Sequence, residues 1–344
     1  MEPAKPRYSA APEISVIVPC FNEEGVIPET HRRLIATLEP IASSFELIYV
    51  DDGSRDQTPA RLAEIQQSDP RVRVVAFSRN FGHQMAITAG LNHSRGRAAV
   101  LIDADLQDPP EVIPEMIARW REGYEVVYGT RRRREGETAF KTKTAEWFYR
   151  LINRISEIPI PLDTGDFRLL DRKAVDALTA MPERDRFVRG MVSWVGFRQI
   201  AVSYDRAARH AGVSKYSLFR MLRFALDGIL SFSIVPLRLA TFLGVAATSA
   251  ALLAAAVLVI LILAGALPLT GAAHPGPWLA VLLTGLFIGG VQLICLGIVG
   301  EYLGRIYGES KHRPLYIVRE TRGFDDPIPD RSTTLASATK PAGE

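Results

Sequence analysis

The chain has 344 residues, room for two structural units, and 41 Lys and Arg against 38 Asp and Glu give a net charge of +3; that balance excludes a disordered polyelectrolyte and indicates no bulk affinity for nucleic acid. Apolar residues make up 47%, an ordinary share until it is mapped. Between Leu239 and Gly300 there is no Asp, Glu, Lys or Arg at all, which excludes a purely soluble protein.

Two cysteines, Cys20 and Cys295, rule out a disulfide framework and read as apolar filler. The opening MEPAKPRYSAAPE has no apolar run of signal-peptide length, so the front of the chain is expected in the cytosol, with residues 1–12 disordered. From Ile14 onward β-branched runs alternate with amphipathic segments. Ile14–Cys20, Phe45–Val50, Val72–Phe77, Ala98–Ile102 and Glu125–Tyr128 predict strands. Gly25–Leu38, Ala60–Gln67, Gly82–His93 and Pro110–Arg121 predict helices, with Thr58-Pro59 as an N-cap followed by proline. Such alternation implies an α/β fold with a largely parallel sheet covered on both faces, binding ligands beyond the carboxyl ends of the strands.

Two amphipathic segments follow, Phe140–Ile155 and Tyr216–Phe232; each either lies in a lipid interface or packs against the sheet. Leu239–Ala266 and Trp278–Gly300 are each long enough to cross a hydrocarbon core of about 30 Å. Arg220, Arg223 and Arg238 precede the first span, and Arg305, Lys311 and Arg313 follow the second. The positive-inside bias therefore predicts a hairpin anchor with both flanks and both termini cytoplasmic. The expected organisation is a catalytic domain over 13–213, an interfacial helix over 214–235, the hairpin over 236–303, an extension over 304–322 and a disordered tail over 323–344.

The chemistry is expected at strand ends. Asp103 and Asp105, two apart on an extended segment, project to one side and repel unless a cation joins them. Hard oxygen ligands with open positions suit Mg2+ or Mn2+ completed by substrate phosphates. Asp108, ahead of Pro109-Pro110-Glu111, reads as a helix cap. Carboxylates in Asn22-Glu23 and Asp51-Asp52-Gly53-Ser54 are suited to accept hydrogen bonds from a ribose or base. No glycine-rich dinucleotide fingerprint and no phosphate loop is present, which disfavours hydride transfer and P-loop hydrolysis. His83, His93 and His210 lack zinc-ligand spacing and read as surface or helix-face residues.

SVIVPCFNEE, IYVDDGSRDQT, FSRNFGHQMAITAGL, LIDADLQDPPE, YGTRRRREGE and LDTGDFRLLDRKAV, in that order, resemble the family 2 glycosyltransferases of the GT-A fold. Within that family the chain resembles the polyprenyl-phosphate glycosyltransferases over about residues 12–320, including the hairpin and its exit EYLGRIYGESKHRP. The resemblance implies that Pro19, Phe21, Glu23 and Asp52 hold the nucleoside of a UDP-sugar, Asp103 and Asp105 its metal, and Gln107 the metal or the sugar. It places Asp166 at the catalytic position, as a proton acceptor or as an orienting group. Arg131 and Arg134, with Arg209, Ser214 and Lys215 of an Arg-x-x-Gly-x-Ser-Lys-like element, would meet the phosphates, Arg131 and Arg209 taking part in catalysis. The implied reaction moves a hexosyl group, glucose first among the alternatives, to undecaprenyl phosphate on the cytoplasmic leaflet with inversion. A processive polysaccharide synthase is disfavoured because Gln-x-x-Arg-Trp is absent and one hairpin makes a poor channel. A non-catalytic nucleotide-sugar binder would not need Asp166 beside a basic cluster. The apolar helices and the strand-like Pro314–Val318 offer surfaces for self-association.

Overall fold

The five expected strands form where β-branched residues can be buried on both faces. The computed structural model describes residues 11–131, 164–205, 235–264 and 275–324. In it β1 (Ile14–Cys20), β2 (Phe45–Asp51), β3 (Val72–Phe77), β4 (Ala98–Leu101) and β5 (Val126–Arg131) appear in chain order. Every residue of β1, β3 and β4 is buried, as a sheet covered on both faces requires. Three strands are added that the residue pattern did not predict: β6 (Thr164–Asp171), β7 (Gln199–Tyr204) and β8 (Val318–Arg322). The last begins at Val318, where the extended Pro314–Val318 expected from sequence ends.

The sheet order is β7-β5-β6-β4-β1-β2-β3-β8. β1 runs parallel to β2 and β4, β2 to β3, and β5 to β7, whereas β6 is antiparallel to both β4 and β5, and β8 to β3. The sheet is therefore more mixed than strand–helix alternation suggests. The insertion of β6 matters for function. Leu101 at the end of β4 pairs with Arg168, so Asp166, two residues earlier in β6, lies beyond the carboxyl end of β4. Arg131 and Tyr204, ending β5 and β7, are register partners at the same edge.

Among the described residues six α-helices accompany the sheet: α1 (Ile27–Leu38), α2 (Thr58–Ser68), α3 (His83–His93), α4 (Ile113–Arg121), α5 (Arg172–Ala180) and α6 (Val188–Trp194). α2 corrects an expectation, since Gln57 stands at its N-cap and Thr58 is already helical. The Thr58 hydroxyl instead accepts the Glu23 amide at 2.8 Å, tying the exits of β1 and β2 together. Val16, Leu34, Tyr49, Val100, Met116 and Phe167 belong to one buried cluster, each large side chain stabilising the fold by about 1.5–3 kcal/mol. Tyr316 stacks on Phe77 at 4.9 Å and accepts a 2.9 Å hydrogen bond from Asn92. The segment following the apolar helices thus rejoins the sheet.

The described residues divide into two compact units, the second comprising 235–264 and 275–312. It contains α7 (Val235–Leu263) and α8 (Pro275–Ser310), of 29 and 36 residues, both long and apolar enough to cross a membrane. Phe242, Leu252, Leu253, Leu263 and Leu293 are exposed, a surface that water does not favour. The Cys295 thiol meets the Ala240 carbonyl at 3.3 Å, joining the two helices. α8 continues ten residues past Gly300, beyond the expected span. The segments 140–155 and 216–232, the N-terminal ten residues and the tail after 324 lie outside the described residues.

Candidate active site

The segment leaving β4 alternates strictly. Ile102, Ala104, Leu106 and Asp108 are buried while Asp103, Asp105 and Gln107 are partly open, although the chain turns at Ala104 and Asp105 rather than staying extended. The Thr30 hydroxyl fixes it by donating to the Ala104 carbonyl at 2.8 Å, and Leu106 holds it in a left-handed conformation at φ 58°, at a cost of about 1–2 kcal/mol. The Gln107 amide donates to Asp105 at 3.1 Å. Asp103 and Asp105 are thus both partly open. Desolvation pushes the Asp103 carboxyl up to about 6, with Asp166, Asp108 and Asp105 adding to the rise and His83 opposing it. A divalent cation beside the two carboxylates would offset that cost of burial. Among the described residues no three His, Cys, Asp or Glu side chains are grouped to hold a metal ion. Two carboxylates alone would leave positions on a hard divalent cation for a diphosphate and water.

The loops after β1 and β2 are bound to each other through backbone groups. Ser54 accepts the Asn22 amide at 3.0 Å, Asn22 accepts the Arg55 amide at 2.9 Å, and Glu24 accepts the Gln57 amide at 2.7 Å. Gly53 adopts φ +69°, and a Cβ there would lie 2.4 Å from the Arg79 carbonyl carbon, so only glycine fits. Next to it Asp52 accepts the Phe81 amide at 2.6 Å and the Gly82 amide at 3.0 Å. A carboxylate at the start of α3 suits the helix dipole. Both Asp52 oxygens are thus engaged in fixing the turn that presents His83. Asp51 gives one oxygen to the Ser54 amide at 3.0 Å; its buried Oδ2 has no hydrogen-bond partner among the described residues. Phe21 is 40% exposed at the rim, whereas Pro19 is covered within β1.

His83 joins the two acidic elements. Its Nε2 lies 3.2 Å from Asp166 Oδ2 and 3.5 Å from Asp103 Oδ1. Burial works against its charge, but the hydrogen bond to Asp166 and the charges of Asp103 and Asp166 lift the imidazole to about 9. On the other side Arg189, from α6, grips Asp166 with Nε at 2.7 Å and Nη2 at 3.1 Å. Burial raises the Asp166 carboxyl, but His83 and Arg189 outweigh it and hold the group far below the usual carboxylate range. Gln84 orients α6 by accepting the Val188 amide at 2.9 Å. Arg168 is buried below; desolvation lowers its guanidinium to about 10, still charged, and its Nη2 donates to the Gly165 carbonyl at 2.9 Å.

Asp108 corrects the sequence reading. The short helical turn at Pro110–Val112 has Pro109 at its N-cap and no side-chain cap. Asp108 is 1% exposed and accepts the Tyr204 hydroxyl instead. Arg131 donates from Nε to the Tyr204 oxygen at 3.3 Å and lies 3.5 Å from Asp108. His83, expected as a surface or helix-face residue, is exposed at the first position of α3 and there faces Asp103 and Asp166; Arg189, Arg168 and Tyr204 have no role in the sequence reading. His83 follows directly on Gly82 at a β3–α3 junction, and Tyr204 ends a strand at the same edge; those positions were the available signal. His93, by contrast, caps its own helix through the Ala89 carbonyl at 2.7 Å. Arg134, Arg209, Ser214 and Lys215 lie outside the described residues.

The family model for Glycosyl transferase family 2 matches residues 15–179. An uncharacterized glycosyltransferase, YkcC of Bacillus subtilis, is 48% identical over 314 residues, which cover 91% of this chain and 95% of the relative. A bactoprenol glucosyl transferase of Shigella phage SfV is 43% identical over 310 residues, covering 90% of this chain and 99% of the relative. Among solved structures, glucosyl-3-phosphoglycerate synthase from Mycobacterium tuberculosis, in complex with Mn2+, UDP and glucosyl-3-phosphoglycerate, matches with a TM-score of 0.45 at 23% identity, covering 66% of this chain and 85% of that one.

Proposed function

From the premise that this chain belongs to glycosyltransferase family 2 and has its GT-A fold, we propose that it transfers glucose from UDP-glucose to a polyprenyl phosphate at the cytoplasmic face of the inner membrane, with α7 and α8 crossing the bilayer as a hairpin and both termini cytoplasmic. The observation that carries this reading is the contact of one imidazole, His83, with Asp103 at 3.5 Å and Asp166 at 3.2 Å, with the cationic Arg131 on the neighbouring strand end. The acids for an activated donor and a cation for a second phosphate thus meet at one edge. Similarity to a bactoprenol glucosyl transferase over nearly the whole chain supports the lipid acceptor and the glucosyl group.

In the reaction an oxygen of the lipid phosphate attacks the anomeric carbon, the bond from that carbon to the diphosphate oxygen breaks, and UDP departs with inversion. Asp103 and Asp105 would hold Mg2+ or Mn2+, which supplies charge neutralisation for the leaving diphosphate when bound. Phe21, Glu23 and the unpartnered Asp51 oxygen line the donor side. The nucleophile needs no strong base, because a phosphate monoester with a second pKa near 6 is largely a dianion at pH 7. Asp166 agrees with that, since an acid held ionised by His83 and Arg189 is a weak proton acceptor. Its part is to orient sugar hydroxyls while the cations around it offset the approach of two anions.

Purified protein in detergent, given labelled UDP-glucose, undecaprenyl phosphate and Mg2+ or Mn2+, should form a lipid-linked glucose phosphate. Asp105→Ala should lower turnover by roughly 10³-fold or more while the protein still inserts into membranes. Unchanged turnover in that variant would defeat the proposal, and a panel of UDP-sugars read by product mass would correct the sugar.

A further inference from the structure

The slot around Arg131 is built from two missing side chains. A Cβ on Gly129 would lie 2.7 Å from the Tyr204 ring, and a Cβ on Gly165 would lie 2.8 Å from Arg131 Nη2. Glycine on β5 and on β6 therefore leaves room for one phenol and one guanidinium side by side. Tyr204 fills its share by meeting Phe167 edge to face at 5.6 Å. Its hydroxyl is then both donor and acceptor: it donates to buried Asp108 and accepts Arg131 Nε at 3.3 Å. Burial and the charge of Asp108 push the phenol up, so it keeps the proton it donates. Arg131 remains 30% exposed while Asp108 is 1% exposed, so the anchoring end is dry and the guanidinium faces the open edge. A guanidinium has five donors in a fixed fork; the two directed at Tyr204 and Asp108 fix its plane.

We infer that Asp108, Tyr204 and Gly165 are positioning residues that fix the Arg131 guanidinium for the acceptor phosphate, so that specificity for an anionic acceptor is set two side chains below the surface. The inference rests on the reading of Arg131 as a phosphate-binding cation. All three residues act through Arg131 and touch neither substrate. Oriented this way, Arg131 offers a planar fork to a tetrahedral anion, whereas an arginine free to rotate loses part of that advantage in side-chain entropy.

The experiment measures kcat and both KM values for Tyr204→Phe, Gly165→Ala, Arg131→Ala and the double variant Tyr204→Phe with Arg131→Ala. Tyr204→Phe keeps the ring and removes only the hydroxyl. Gly165→Ala puts a Cβ 2.8 Å from Arg131 Nη2 and in ordinary contact with Asp108 Oδ2 at 3.7 Å, meeting no backbone, so it should displace the guanidinium without disturbing the strand. Each should raise KM for polyprenyl phosphate about fivefold to tenfold and leave KM for the UDP-sugar unchanged. In the Arg131→Ala background Tyr204→Phe should change nothing further, an outcome that a general packing role would not give. If Arg131→Ala raises the acceptor KM while Tyr204→Phe and Gly165→Ala retain wild-type values, the inference is overturned alone. If Arg131→Ala has no effect, the acceptor reading falls and the inference with it.

Discussion

The two halves of the site are held together by different kinds of bond. Around Gly53, Asp52 and Thr58 the side chains bind backbone amides, with contacts from Glu23 to Thr58 at 2.8 Å and from Phe81 to Asp52 at 2.6 Å. Around Asp166 side chains bind one another: His83 and Arg189 grip Asp166, and Tyr204 and Arg131 meet Asp108. A loop cross-linked through its backbone is part of the fold and resists rearrangement. A side-chain network on finished strand ends can lose a member and leave the chain path intact. The half proposed to hold the donor should therefore report its mutations in stability, and the half proposed to serve catalysis in rate.

Asp166→Asn tests the catalytic half with the largest effect. The amide keeps the shape but loses the charge that His83 and Arg189 surround, and kcat should fall about 10²–10³-fold with little change in KM for the donor. Arg189→Lys should cost about 10–100-fold in kcat, since a lysine cannot replace the two-pronged grip on Asp166. Steady-state kinetics with circular dichroism as a check on folding reads both. A loss of secondary structure matching the loss of rate would erase the distinction between the halves.

The same difference explains what was legible in the sequence. Strands β1 to β5 and helices α1 to α4 follow from their residue period, because each pattern is local to its own element. Asp103 and Asp105 were visible for a local reason too, two acids two apart at the end of a predicted strand. β6 and β7 were not read as strands. Their neighbours are distant in sequence, as in the pairing of Tyr128 with Arg168, and β7 is only partly buried. Asp108 was misread because a proline-rich turn satisfies the local pattern of a helix cap, and only the register of Arg131 with Tyr204 shows where its carboxylate goes. Arg189 had no local signal, since its partner lies 23 residues earlier on another element.

Gly53→Ala probes the donor half and should have the next largest effect, on stability. The added Cβ meets backbone at 2.4 Å and the residue has φ +69°, so neither rotation nor a flexible neighbour relieves the clash. Unfolding should be favoured by about 2–4 kcal/mol, seen as a Tm lower by several degrees, with residual kcat near wild type in the folded fraction. A normal Tm with depressed kcat would show that this loop, too, acts through rate.

The smallest effect is expected where charges meet outside both networks. Arg33 and Glu111 form a two-pronged pair, the shorter contact 2.5 Å, with Glu111 54% exposed. By distance alone it rivals the grip of Arg189 on Asp166, so the pair separates geometry from burial as the source of the effect. An exposed pair gains little over its hydrated partners and loses side-chain entropy, so Arg33→Ala should change stability by less than about 1 kcal/mol and leave kcat unaltered. The residual effect should shrink further in 0.5 M salt, where the screening length falls to roughly 4 Å. A loss of rate in Arg33→Ala would mean that the α1 face communicates with the segment after β4, which Glu111 follows closely in sequence. The boundary between the networks would then have to be drawn wider than the contacts of Asp166 and Arg131.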